Sequence, residues 1–217
     1  MQIKVDDKME ASKLLKNILK QERLNCSIRH NKKQNQNQTD YENKQINLIP
    51  STFHGTDAEA YRVVAHEAGH VYNNTHNPQH YKMFNWLRYW VFRLSMISVV
   101  VGVSHPFLFV FGLLKYQSPI DHMITIGGFL MTMVSLIMNY KFIFIVYEDE
   151  KSADKFGKML IKNYYKYPNI NSKVTINDIL DSFQKNEKKL LKHSYVLTII
   201  GLSFLMILLQ FLYKLAV

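Results

Sequence analysis

His66, Glu67 and His70 are the residues of this chain whose types and spacing could do chemistry. In a helix, residues four apart share a face, so the two imidazoles can point at one metal ion. Glu67 follows the first histidine, beside that face, where it can take a proton from a metal-bound water. The pattern H-E-x-x-H is that of zinc hydrolases, two ligands with a general base between them. Hydrolytic zinc usually has three protein ligands and one position open for water. A third ligand must therefore come from elsewhere in the chain.

Two residues compete for that place. Glu150 begins Glu150-Lys151-Ser152-Ala153-Asp154, and on a helix Glu150 and Asp154 share a face. Glu150 can then bind the metal while Asp154 reaches an imidazole N–H and fixes its tautomer. The plain alternative reads Glu148, Asp149 and Glu150 as an acidic helix start favoured by the N-terminal dipole. His76 is the rival ligand. His66, His70 and His76 have the spacing of H-E-x-x-H-x-x-G-x-x-H, with Asn73 in place of the glycine. That longer pattern also wants a methionine turn under the metal. Met83 lies too close for it and Met96 falls in an apolar run. His54 and His80 read as surface or peptide-contact histidines, and His105 and His122 as packing or interfacial ones.

The elements that must hold these residues are mostly helical. Thr56-Asp57-Ala58-Glu59 matches the capping box S/T-x-x-E. From Ala58 to about Asn73 the sequence is helix-compatible, which puts both histidines mid-helix. Asn73-Asn74 reads as the stop, and Asn77-Pro78 bars continuation. Asp6 to Leu24 reads as an amphipathic helix with Met9, Leu14, Leu15, Ile18 and Leu19 at helical spacing. Asn25–Arg29 and Ile46–Ile49 are short strand candidates, and the polar stretch Asn31–Asn47 a surface loop or loose hairpin. Leu48–Phe53 is expected to offer an edge strand to an extended peptide. Glu148–Asn163 reads as a further helix, and Asn171–Lys192 as another capped near Thr175.

Leu94–Leu114, Met123–Tyr147 and Tyr195–Tyr213 are long apolar runs, and of the three only the second holds a Lys, Arg, Asp or Glu, namely Lys141. A bilayer core of about 30 Å takes about 20 such residues in a helix, so three transmembrane helices are expected. The net charge of +10 does not imply nucleic acid, because of where it lies. Of 27 Lys and Arg, 24 fall in residues 1–93 or 148–194. The positive-inside rule then puts those segments in the cytoplasm, with membrane lipids as partners. The fold class is a mainly α membrane protein with a helical zincin-like domain and a short β segment. The expected divisions are 1–85, 86–147 (two spans), 148–193 and 194–217 (a third span). The single Cys26 excludes an intramolecular disulfide.

Ile46-Asn47-Leu48, Phe53-His54-Gly55, Ala60 and Val64-Ala65-His66-Glu67-Ala68-Gly69-His70 resemble the YugP-type family of membrane-bound neutral zinc metallopeptidases. Ala11 to Leu24 is similar to that family's lead helix, and Asp40-Tyr41-Glu42-Asn43 to its acidic-aromatic turn. Glu150-x-x-Ala153 is similar to its E-x-x-A segment after two spans. The order of site, two spans and E-x-x-x-D resembles HtpX-type membrane zincins more distantly. The resemblance implies a zinc peptidase with His66 and His70 as ligands, Glu67 as base and Glu150 completing the site. Its substrate would be a membrane-proximal protein or peptide. The reading from another class is a non-catalytic zinc-binding membrane scaffold or a degenerate peptidase.

Overall fold

Leu14, Leu15, Ile18 and Leu19 form the buried face of α1 (Ala11–Gln21) in the computed structural model, which describes residues 9–32, 35–98, 119–165 and 174–189. The helix ends earlier than Leu24. Arg23 takes a positive φ of 53°, and the Leu24 N–H turns back to the Leu19 carbonyl at 2.8 Å, a closing turn that stops the helix.

Three short strands follow: β1 (Ser27–His30), β2 (Gln38–Asp40) and β3 (Gln45–Leu48). Their order is β1-β3-β2, with β3 parallel to β1 and antiparallel to β2. The expectation of an edge strand at Leu48–Phe53 fails here. β3 is the central strand, and Pro50–Phe53 forms a single helical turn, α2, with Pro50 preset for its start. Of the two forms expected for the polar stretch before β3, it takes the hairpin, with β2 antiparallel to β3. Asp40 accepts hydrogen bonds from the Asn43 backbone N–H (3.0 Å) and side-chain amide (2.8 Å), closing the β2–β3 hairpin. Asn37 stitches the stretch to α2, accepting from the Ile49 N–H (3.0 Å) and donating to Thr52 Oγ1 (3.1 Å).

α3 (Ala58–His76) carries the H-E-x-x-H segment. Asp57, rather than Thr56, caps it: Asp57 Oδ1 accepts the Ala60 N–H at 2.7 Å. Glu59 is drawn away from the expected capping box, pairing with Arg62 (2.6 Å) and accepting from the Ser182 hydroxyl. The stop at Asn73-Asn74 also fails. The helix runs on to His76 and gives way at Asn77, where Pro78 begins α4 (Pro78–Ile97).

α5 (Pro119–Tyr165) is one continuous helix of 47 residues. The expected break between Tyr147 and Glu148 is absent, because the change there is in polarity and not in helix compatibility. The reading of Glu148–Glu150 as a helix start falls with it. The last described helix, α6 (176–189), has the expected cap. Thr175 Oγ1 accepts the Asp178 N–H (3.3 Å), and Asp178 Oδ2 accepts the Thr175 N–H (2.9 Å).

The chain divides into two compact units, Met1–His76 with Glu150–Val217, and Asn77–Asp149. The first has a core of Leu14, Leu15, Ile18, Ile46, Leu48, Tyr61, Val64, Leu160, Ile161, Ile179 and Phe183, all at most 1 % exposed. In the second, Asn139 Nδ2 donates to Ser95 Oγ (2.9 Å) and to the Ser135 carbonyl (2.8 Å), tying α4 to α5. Its helices expose large apolar side chains, among them Phe92, Met123, Ile126 and Ile137. Among the described residues one helix is long and apolar enough to cross a membrane, running from Ile126. The expected first run beyond Ser98, and the whole third run, lie outside the described residues.

Candidate metal centre

His66 and His70 lie one turn apart on α3, and Glu150 on α5 meets them. His66 Nε2 and His70 Nε2 are 3.2 Å apart. Glu150 Oε2 is 3.2 Å from His66 Nε2, and Glu150 Oε1 is 3.6 Å from His70 Nε2. These three residues are the group among the described residues whose donor atoms converge closely enough to hold a metal ion. The spacing can be tested against zinc. A tetrahedron with bonds of about 2.0–2.1 Å has edges of about 3.3–3.4 Å. The observed separations straddle that value, so the donor set and its size both fit the ion.

The fit depends on how closely α3 and α5 approach. A methyl group on Gly69 would stand 2.2 Å from the Ala153 carbonyl oxygen. One on Gly157 would stand 2.8 Å from the Ala65 carbonyl oxygen. Glycine at both positions lets the two backbones touch, and Glu150 thereby reaches the histidine face.

Asp154 lies one turn beyond Glu150 and is fully buried. Its Oδ1 is 2.7 Å from His66 Nδ1, and its Oδ2 accepts from Asn186 Nδ2 at 3.2 Å. With the Nδ1 proton given to Asp154, the lone pair of neutral His66 sits on Nε2, the atom that faces His70 and Glu150. Burial alone would pull the His66 imidazolium down. The Asp154 and Glu150 carboxylates, with the charge of Glu67, outweigh it and raise its pKa to about 10. The carboxylates that favour the imidazolium would also attract a metal cation, which must displace a proton to bind His66.

Glu67 is 6 % exposed, and Thr39 Oγ1 donates to its Oε2 at 2.6 Å. Tyr41, in the turn after β2, sets its ring edge-to-face with His70, centroids 6.1 Å apart. His76 lies apart from this cluster. Its Nδ1–H is 2.8 Å from the Tyr72 carbonyl and its ring stacks on Tyr72. A helix that continues past Asn73 cannot bring His76 back to the face of His66 and His70. His54 instead meets Glu10, Nδ1 to Oε1 at 2.8 Å.

The sequence marks neither Thr39 nor Asn186, and Tyr41 only as part of the Asp40–Asn43 turn.

A family model described as "putative neutral zinc metallopeptidase" matches residues 1–145, a span that includes His66, Glu67 and His70 and ends before Glu150. No curated protein and no solved structure matches. The chain belongs to this family of neutral zinc metallopeptidases, with zinc as its cofactor and a peptide or protein as its substrate.

Proposed function

We propose that the chain is a membrane-attached zinc endopeptidase, of the YugP type, in which His66, His70 and Glu150 hold the metal and Glu67 is the general base. The observation that carries this reading is the meeting of the two imidazole Nε2 atoms and the Glu150 carboxylate within 3.2–3.6 Å, with the nearly buried Glu67 next to His66 in sequence. Zinc, when bound, supplies a Lewis acid that acidifies a water and polarises the scissile carbonyl. Glu67 takes the proton of the attacking water as the new C–O bond forms. It delivers that proton to the leaving amide nitrogen as the C–N bond breaks. Asp154 holds His66 in the tautomer that presents Nε2. An extended peptide can add to β2, an edge strand of the sheet among the described residues and the one that carries Thr39 against Glu67.

Membrane attachment rests on the apolar runs and on the exposed apolar faces of α4 and α5, which water would not tolerate as a continuous surface. The lysine and arginine distribution supports the divisions 1–85, 86–147, 148–193 and 194–217, with three spans and a cytoplasmic site. A site close to the first two runs in sequence favours membrane-proximal substrates of the plasma membrane.

The test uses full-length protein in detergent. Wild type is expected to bind zinc and to cleave an unfolded protein substrate, with cleavage blocked by a chelator. Glu67→Gln is expected to keep zinc and lose cleavage. A Glu67→Gln variant that cleaves like wild type would overturn the proposal.

A further inference from the structure

Thr39 occupies an unusual place for a hydroxyl. It pairs across the sheet with Ile46, which is 0 % exposed. Cross-strand partners share a face, so Thr39 points toward the core side of β2. A hydroxyl facing inward needs a hydrogen-bond partner, and this one finds the Glu67 carboxylate at 2.6 Å, with the Glu67 carbonyl at 3.4 Å. The need is mutual. Glu67 is 6 % exposed, and among the described residues Thr39 is the donor that satisfies it.

We infer that Thr39 is the positioning residue of the general base. It acts through Glu67 and touches neither metal nor substrate. A carboxylate on a two-carbon stem can turn about its last bonds, and a base that turns is out of place for much of the time. The Thr39 hydroxyl has one proton, and it fixes Oε2. Oε1 is then left for the proton of the attacking water. Tyr41, two residues on, packs against His70 and holds the same hairpin to the metal helix, so the Thr39 hydroxyl is delivered by a fixed element. The inference rests on Glu67 being the base.

The experiment compares Thr39→Val, Thr39→Ser and Glu67→Gln with wild type, as full-length protein in detergent acting on a quenched fluorescent peptide. A hydrogen bond to a charged group is worth enough that its loss is expected to lower kcat by about tenfold to a hundredfold in Thr39→Val. KM and zinc content should stay at wild-type values, a split that a loosened fold would not give. Thr39→Ser, which keeps the hydroxyl, should return kcat to within about threefold of wild type. A readout independent of turnover is the infrared carboxylate band of Glu67 in metal-free protein, assigned by its loss in Glu67→Gln. That band should move in Thr39→Val and stay in Thr39→Ser. An unmoved band, or wild-type kcat in Thr39→Val, would overturn the role of Thr39 alone. Full activity in Glu67→Gln would remove the base and this inference with it.

Discussion

Gly69 and Ala153 bring the backbones of α3 and α5 into contact: a methyl group on Gly69 would stand 2.2 Å from the Ala153 carbonyl oxygen. That contact sits beside His70 on one helix and between Glu150 and Asp154 on the other. The candidate metal centre is therefore as exact as this crossing. Gly69→Ala tests it, because two effects oppose each other. Alanine gains up to about 1 kcal/mol of helix propensity. The clash forces the helices apart at a typical overpacking cost of about 1–3 kcal/mol. The nearest atom is backbone and cannot rotate away, so the clash should win. The expected result is a lower Tm and a loss of bound zinc, read by thermal denaturation and metal analysis. A raised Tm with zinc retained would mean that the helices do not touch there.

Glu150 and His76 are separated by a direct experiment. Glu150 meets both histidine Nε2 atoms, whereas His76 bonds the Tyr72 carbonyl at the far end of α3. Zinc content after dialysis against a weak chelator should collapse in Glu150→Ala and stay at the wild-type level in His76→Ala. The reverse pattern would place the third ligand on α3.

How much of this site could be read from the sequence depends on where the information lies. The spacing of His66 and His70, and of Glu150 and Asp154, is local: four residues make one helical turn whatever the rest of the chain does. Those pairs were legible. β2 was not, since three residues between Asn/Gln-rich segments have no periodicity to detect. At Tyr147–Glu148 an abrupt onset of charge looks like a boundary in the sequence. Helix propensity continues across it, and the helix with it. Asn186 reaches Asp154 only through tertiary packing of α6, and no residue near it in sequence announces that. Thr56 lost the cap to its neighbour Asp57, a difference of one residue that pattern matching cannot resolve when both types cap well.

The chain Asn186–Asp154–His66 predicts graded effects on the metal. Asp154 is fully buried and holds the His66 ring directly, so Asp154→Ala should weaken zinc binding by about 10–100-fold. Asn186→Ala removes a support of Asp154 at 3.2 Å, one step further out, and should weaken zinc less than Asp154→Ala does. Competition with a fluorescent chelator measures both. Equal affinity in wild type and Asp154→Ala would show that the ring is held by packing instead.

His66 gives the metal-free protein a pH-dependent contribution to its stability. Its pKa rises to about 10 in the fold against an ordinary value of 6.5, burial being outweighed by Asp154 and Glu150. A group raised on folding adds stability that is complete below its unfolded value and is lost as pH rises through its folded one. Metal-free protein should therefore lose stability between about pH 6.5 and 10, where wild type with zinc should not, since the ion replaces the proton. Zinc binding at pH 8 should release about one proton from His66. Calorimetric titration in two buffers of different ionisation enthalpy counts it. Asp154→Asn, which removes one of the carboxylates that hold the proton, should release fewer. A proton count of zero in wild type would mean that His66 is already neutral and waiting for the ion.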